Sequence, residues 1–276
     1  MGKIIDGKAH AQTLKNELKE WVNNHDKEVT LIIFQAGDNP ASNVYVRNKQ
    51  KACEEVGITS HVIKVGSPAD LKLEIESKRT FCDAMMVQLP LPEEFGDPQQ
   101  YIDLIPPEKD ADCLTTYNLG RLFLGDDTLA PCTAAGIMDL LAQEGIDVSG
   151  KHAVVVGRSD IVGKPVAHML LDKDATVTVC HSRTKNLADF TRMADILVVA
   201  IGKPKFITED MAKEGAVVID VGINRMEDGK LCGDVDFDAV KDKAGFITPV
   251  PGSVGPMTVS WLLANSVVCK RGFDYE

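Results

Sequence analysis

The sequence predicts an α/β fold in two domains, the second built on a doubly wound parallel sheet, and three observations carry that expectation. Short apolar runs rich in Val and Ile recur along the chain, and stretches with helical spacing separate most of them. The rhythm breaks once, at IPPEKDADCLT (105–115), and then resumes. Glycines stand where apolar runs end and helical stretches begin. Buried strands joined by helices imply parallel crossovers, with both faces of the sheet covered.

In the first half the expected strands are VTLIIFQ (29–35), HVIKV (61–65) and AMMVQLPLP (84–92). Between the first two lies NVYVRNKQKACEEVG (43–57), a helix that ends naturally at Gly57, and a polar helix follows near 68–78. The Pro- and Asp-rich 105–115 stretch reads as loop. After a short NLGRLFLG segment, CTAAGIMDLLAQEG (132–145) reads as a connecting helix capped by Thr133 and stopped by Gly145. In the second half HAVVVG (152–157), TVTVC (176–180), ADILVVAIG (194–202), GAVVIDVG (215–222) and GFITPVPG (245–252) are the expected strands. A helix over about 163–171 follows the first of them, and a last helix over about 256–268 begins at Pro256.

Composition narrows the function classes. The chain has 276 residues, 44% hydrophobic and 26% charged, which is the balance of a globular protein with room for two domains. A net charge of -11 and a pI near 5.1 lack the basic footprint of nucleic-acid binding. Seven scattered cysteines with no C-x-x-C spacing point to a reducing compartment and to no metal site. No signal-peptide core, lipidation signal or membrane-length apolar run is visible, so the expected location is cytoplasmic.

VVVGRSDIVGKP (154–165) sets Gly157 at the end of an apolar run and Gly163 at a helix start, where a pyrophosphate would sit. Ser159 replaces the second glycine of the usual G-x-G-x-x-G, and the last glycine falls one residue late. The next strand should end in an acid if the ligand were NAD; TVTVC instead runs into His181, Ser182 and Arg183. Arg158, Ser182 and Arg183 can meet a 2′-phosphate that a carboxylate would repel, so the stretch favours NADP. Otherwise the two arginines are solvated loop charges.

The helix ending at Gly57 carries a lysine in its apolar stripe, because Tyr45, Lys49, Ala52 and Val56 share one face. Such a lysine either snorkels to solvent along Tyr45 or works. If desolvated, its charged form is disfavoured and it exchanges protons more readily. Tyr45, one turn earlier, offers a flat ring for a heteroaromatic ligand. Gln88 stands at the C-terminal end of an expected strand, where α/β sheets present ligand-binding groups. Of Asp110 and Asp112, one could bind a ring bearing adjacent N–H donors; otherwise both form turns. TPVPGSVGPMT (248–258) has a rigid, closely approachable backbone. Cys132, with no base nearby in sequence, reads as a small hydrophobe.

YVRNK, VQLPLP, PPEKDADCLT, PCTAAG, GRSDIVGKP, HSRT, DVGIN and TPVPGSVGPMTVSWLL, in this order over almost the whole chain, resemble the bifunctional methylenetetrahydrofolate dehydrogenase/cyclohydrolase family. The resemblance implies a folate-binding catalytic domain over 1–118, completed by a C-terminal helix over 257–276, and a Rossmann-like NADP-binding domain over 119–256. It makes Lys49 the catalytic lysine, Tyr45 the ring that stacks on folate, Gln88 the lysine's hydrogen-bond partner and Asp112 the pterin anchor. Leu89, Pro251 and Gly252 join the substrate site; Gly157, Arg158, Ser159, Gly163, Ser182, Arg183 and Ile223 fall in the NADP segments. The chain departs from the family at Cys113 and Ser253, where glycine is common, and at Ala134, where proline is common.

The same resemblance implies two reactions of one-carbon metabolism, which feed purine biosynthesis, carried out by a homodimer. A hydride passes from 5,10-methylenetetrahydrofolate to NADP⁺, a step that needs mainly alignment. Water then opens the methenyl product to 10-formyltetrahydrofolate, which needs proton transfers suited to Lys49. The alternatives are a shikimate dehydrogenase-like enzyme, which has no need of Tyr45 or Asp112, and a catalytically silent nucleotide-binding regulator.

Overall fold

The computed structural model describes residues 2–25 and 28–272. In chain order it contains β1 (Lys3–Ile4), α1 (Gly7–Asn24), β2 (Thr30–Ala36), α2 (Pro40–Val56), β3 (Thr59–Val65), α3 (Pro68–Lys78), β4 (Ala84–Val87), α4 (Gln99–Ile102), α5 (Thr116–Phe123) and α6 (Cys132–Gln143). Then follow β5 (His152–Val156), α7 (Gly163–Asp172), β6 (Thr176–Cys180), α8 (Leu187–Thr191), β7 (Ile196–Val199), β8 (Val217–Asp220), β9 (Asn224–Arg225), β10 (Leu231–Cys232), α9 (Phe237–Val240), β11 (Phe246–Ile247) and α10 (Val254–Arg271). The chain packs as two compact units. One takes the chain up to Ala11 together with Thr133–Thr258; the other takes Gln12–Cys132 together with the chain from Val259. These limits differ from the expected 118/119 division: the first eleven residues group with the later unit, and residues 119–132 with the earlier one. Of the helix expected over 257–276, residues 273–276 lie outside the described residues.

The unit of residues 12–132 is organised on a parallel three-stranded sheet, β3-β2-β4. Its central strand β2 buries side chains on both faces. Leu31 and Ile33 pack with Val46, Ala52 and Val56 of α2 and with Leu262, Leu263 and Val267 of α10. Ile32 and Phe34 pack on the other side with Leu71 and Ile75 of α3 and with Tyr101 and Ile102 of α4. Coverage on both sides explains why β2 reads as a continuous apolar run rather than as alternation.

The other unit holds a parallel six-stranded sheet of order β1-β11-β8-β7-β5-β6 among the described residues. Its interior includes Val154, Val156, Leu197, Val199 and Val218. The chain order reverses about β5, which has β6 on one side and β7 on the other, so the expected doubly wound sheet is present. Strand β1 was not visible in the sequence. Two residues carry too little pattern, and their pairing with β11 is a long-range contact.

Several element limits differ from expectation for local reasons. Helix α6 begins at Cys132, so Thr133 lies inside its first turn instead of capping it, and its hydroxyl accepts from Thr258 Oγ at 3.2 Å. Gly145 does end that region, at φ +67°. Helix α10 starts at Val254, two residues before Pro256, which places the proline in the first turn where no N–H is needed. The strands expected over 84–92 and 245–252 are cut to Ala84–Val87 and Phe246–Ile247, because the prolines that follow cannot donate to a ladder.

Asp220 ends β8 as a buried carboxyl. Its Oδ1 accepts from Gly222 N (3.0 Å) and Asp234 N (2.9 Å), and its Oδ2 from Val235 N (2.9 Å). Burial raises its pKa to about 7 against the lowering effect of those amides, and the nearby Asp234 adds to the rise. In the unfolded chain the same carboxyl titrates near 4. Between the two values the native state holds a proton that the unfolded state has released, so this group's contribution to stability falls as pH rises from about 4 to about 7 and is level above that. Asp220→Asn removes the titration. The stability difference between the protein and this variant, from urea unfolding at pH 5 and pH 8, is expected to move in the variant's favour at pH 8; a pH-independent difference would contradict the raised carboxyl.

Candidate active site

In the unit of residues 12–132 the polar side chains gather beyond the end of β4 and along α2. Lys49 is 8% exposed, and its Nζ donates to Gln88 Oε1 at 3.0 Å and to Met86 Sδ at 3.4 Å. Both acceptors are neutral. Gln88 is itself fixed: its N–H bonds to Phe34 O (2.8 Å), which extends the β2–β4 ladder by one residue, and its Nε2 donates to Leu89 O at 2.7 Å. Its amide therefore turns its oxygen to the lysine. The lysine does not snorkel. One turn earlier on α2, Tyr45 is 38% exposed, and its partial burial raises its phenol pKa.

The two aspartates divide sharply. Asp110 is 1% exposed, and its Oδ2 accepts from Thr115 N (2.8 Å) and Asn118 Nδ2 (3.1 Å), so it staples its own loop. Burial raises its pKa despite those bonds. Asp112 is half-buried, with Oδ1 3.6 Å from the Cys132 thiol, and is the one with an accessible carboxylate. Burial raises the Cys132 thiol well above its usual range; Asp112 adds to the rise and Lys49 opposes it, which puts all three in one electrostatic neighbourhood. The small-hydrophobe reading of Cys132 holds.

Asn265, on the apolar face of α10, was not singled out in the sequence. Buried among apolar neighbours, it donates Nδ2 to Ala111 O (2.8 Å) and Ala130 O (3.0 Å), tying together the two chain segments that flank Asp112 and Cys132. The signal available was a lone asparagine inside LLANSVV. Among the family departures, Cys113 adopts φ +56°, the left-handed region that glycine enters without penalty. Ala134 sits in the first turn of α6, where alanine and proline are both tolerated.

Leu89 is half-buried and follows Gln88 directly. Pro251 and Gly252 belong to the other unit, where Gly252 has φ +124° and a Cβ there would meet Lys8 Cε at 3.4 Å.

In that other unit β5 ends at Val156 and runs into a cradle made of backbone. Gly157 has φ +130°, and a Cβ on it would lie 2.3 Å from Ala200 O; a Cβ on Gly163 would lie 2.4 Å from Gly157 O. Both glycines are sterically required. Gly163 N donates to Ser159 Oγ (3.4 Å), Lys164 N to Ser159 O (3.0 Å), and Pro165 has no N–H, so Ser159 occupies amides that a standard phosphate loop leaves free. The N-cap residue Val162 makes no side-chain cap bond, and with its first amides engaged α7 offers an anion its dipole more than free N–H groups. After β6 a closed turn holds His181 N to Thr184 Oγ1 (2.9 Å) and Arg183 N to His181 Nδ1 (3.1 Å). Ser182, Arg183 and Arg158 are exposed, and no acid stands at the end of β6. Ile223, exposed, follows β8. A dinucleotide with a 2′-phosphate fits this donor set.

Residues 5–112 match the catalytic domain of the tetrahydrofolate dehydrogenase/cyclohydrolase family, and residues 131–272 match its NAD(P)-binding domain. The "Bifunctional protein FolD" of Moorella thermoacetica is 52% identical over 277 residues, covering 98% of this chain and 99% of the relative. The crystal structure of the FolD enzyme of Campylobacter jejuni superposes with a TM-score of 0.95 at 44% identity, over 98% of this chain and 99% of that one. The Trypanosoma brucei methylenetetrahydrofolate dehydrogenase-cyclohydrolase, solved with NADP and an inhibitor, has a TM-score of 0.92 at 38% identity over 98% of both chains.

Proposed function

The chain belongs to the tetrahydrofolate dehydrogenase/cyclohydrolase family, and from that premise we propose how its residues divide the work of the family's two reactions. The enzyme oxidises 5,10-methylenetetrahydrofolate with NADP⁺ to the 5,10-methenyl form and hydrolyses that product to 10-formyltetrahydrofolate. The membership displaces the shikimate dehydrogenase-like alternative. The observation that carries the assignment of roles is the Lys49 Nζ buried against two neutral acceptors beside a half-exposed tyrosine.

In this reading the unit of residues 12–132 is the folate-binding catalytic domain and the unit of residues 133–258 the NADP-binding domain. Tyr45 stacks on the folate ring system, Asp112 accepts from the pterin N–H groups, and Leu89, Pro251 and Gly252 line the substrate. Lys49 Nζ takes a proton from the attacking water and delivers a proton to the ring nitrogen as the bridge opens, while Gln88 holds the lysine in place. The hydrogen-bond partners of Lys49, Gln88 and Met86, are neutral, so they hold Nζ in place without forming an ion pair. Bound NADP⁺ supplies the hydride acceptor. Gly157 and Gly163 admit the pyrophosphate, Ser159 and the start of α7 meet its charge, Arg158, Ser182 and Arg183 hold the 2′-phosphate, and Ile223 borders the nicotinamide. The unpaired cysteines support a cytoplasmic setting.

Lys49→Met is expected to abolish ring opening, read by the decay of methenyltetrahydrofolate absorbance against the uncatalysed rate, while folate binding largely survives; near-normal cyclohydrolase activity would remove the lysine from this role. Arg183→Ala should raise the KM for NADP⁺ roughly ten- to hundredfold, the scale of a lost charge-assisted phosphate contact, and leave that for NAD⁺ nearly unchanged. Equal effects on both nucleotides would count against a 2′-phosphate contact. We also propose a homodimer; light scattering should give a mass twice the 30.0 kDa chain, and a monomer mass would end that proposal.

A further inference from the structure

Asp234 is completely buried, and its carboxylate is saturated by loops distant in sequence. Its Oδ2 accepts from Ile201 N (2.7 Å) and Gly202 N (2.9 Å); its Oδ1 accepts from Lys203 N (2.8 Å) and Asn224 Nδ2 (2.9 Å). The first three donors are consecutive amides of the loop leaving β7, and the fourth, Asn224, opens β9 where the loop leaving β8 ends. Asp234 is held in turn by Asp220, which accepts its N–H. Two glycines make the approach possible: a Cβ on Gly222 would lie 2.2 Å from the Asp234 carboxyl, and one on Gly233 would lie 1.8 Å from Asp220 Oδ2. Strands β7 and β8 are neighbours in the parallel sheet, so both loops stand at its carboxyl edge, the side on which such sheets bind dinucleotides.

The connection reaches the phosphate cradle through the backbone. Ala200, immediately before the three clamped amides, donates its N–H to Val156 O (2.8 Å) and sets the carbonyl that leaves Gly157 no room for a side chain. Ile223 lies between Gly222 and Asn224, both against the Asp234 carboxyl. A carboxylate with four donors in a dry interior is held rigidly, because each lost bond leaves a buried polar group unpaired.

We propose that Asp234 is a positioning residue for the dinucleotide: without touching it, the carboxylate fixes the loops after β7 and β8 in the shape that fits NADP. This rests on the reading of the unit of residues 133–258 as the NADP-binding domain. Asn at position 234 keeps the size but turns two acceptor sites into an N–H₂ group facing N–H donors, so at least one loop is released.

The test uses the full-length enzyme and NADPH binding by fluorescence titration, with KM and kcat for NADP⁺ and the cofactor-independent cyclohydrolase rate measured alongside. Asp234→Asn should weaken NADPH binding and raise the KM for NADP⁺ by about tenfold or more, with the cyclohydrolase rate within twofold of the parent enzyme. Asn224→Ala, which removes one donor at a less buried position, should shift both in the same direction by less, and decides the matter if Asp234→Asn does not fold. Unchanged NADPH affinity in a folded variant would overturn the proposal, as would equal losses in both activities. Failure of the parent enzyme to bind NADPH would instead sink the reading of the domain itself.

Discussion

Parallel strands covered on both faces can show polar groups only at their ends, and this constraint locates nearly every group assigned a chemical role. Residues Leu31 to Ala36 of β2 are all buried, so nothing along the strand can meet a ligand. The positions just past the carboxyl ends are different. Gln88 follows β4, Gly157 follows β5, His181 to Arg183 follow β6, Ile201 to Lys203 follow β7, and Asp220 and Ile223 mark the end of β8. The backbone there leaves the ladder, its amides turn to side-chain and loop acceptors such as Asp234, and side chains gain an exit from the core. Lys49 is the exception that shows the rule. It comes from a helix, yet its Nζ reaches the same edge by bonding the residue that prolongs β4.

Burying charge is costly unless it is matched, and the buried ionisable groups are matched in two distinct ways. Asp110, Asp220 and Asp234 are surrounded by N–H donors, so each is tied to its loop and can do little else. Lys49 faces a thioether and an amide oxygen, acceptors that hold its position without neutralising it. The first arrangement makes scaffolding. The second holds Nζ without an ion pair, and it is there that the proposed proton transfers are placed.

What could be read from the sequence followed from locality. Apart from β1, the strands of both sheets lie in Val- and Ile-rich runs, and the stripe of Tyr45, Lys49, Ala52 and Val56 lies within one helix, so local pattern exposes them. The choice between Asp110 and Asp112 stayed open on residue pattern alone, since only the placement of Thr115 and Asn118 around one carboxyl distinguishes them. The start of α7 at Gly163 agrees with the sequence, whereas α2, α6 and α10 begin up to three residues earlier than expected, α6 and α10 at the buried Cys132 and Val254, which carry no polar start signal. The Asp234 clamp was unreadable, since its donors lie up to 33 residues away, and Asn265 reaches back 154 residues to Ala111.

The family departures show how a site tolerates change when only backbone shape matters. Cys113 holds a left-handed conformation that costs a non-glycine residue on the order of 1 kcal/mol, and its side chain is fully buried, so lost backbone freedom is offset by apolar burial. Ser253 has no positive φ and needs no glycine for its own conformation; the close approach there is instead met by Gly7, whose Cβ would lie 2.5 Å from the Ser253 backbone. The atoms met there are the Ser253 Cα, carbonyl carbon and oxygen, which a glycine at position 253 would keep, so the requirement for a missing side chain stays with Gly7 whatever position 253 carries. Glycine is therefore required at Gly7, Gly157 and Gly163, where the atoms met are backbone, while position 253 carries no such demand and accepts serine.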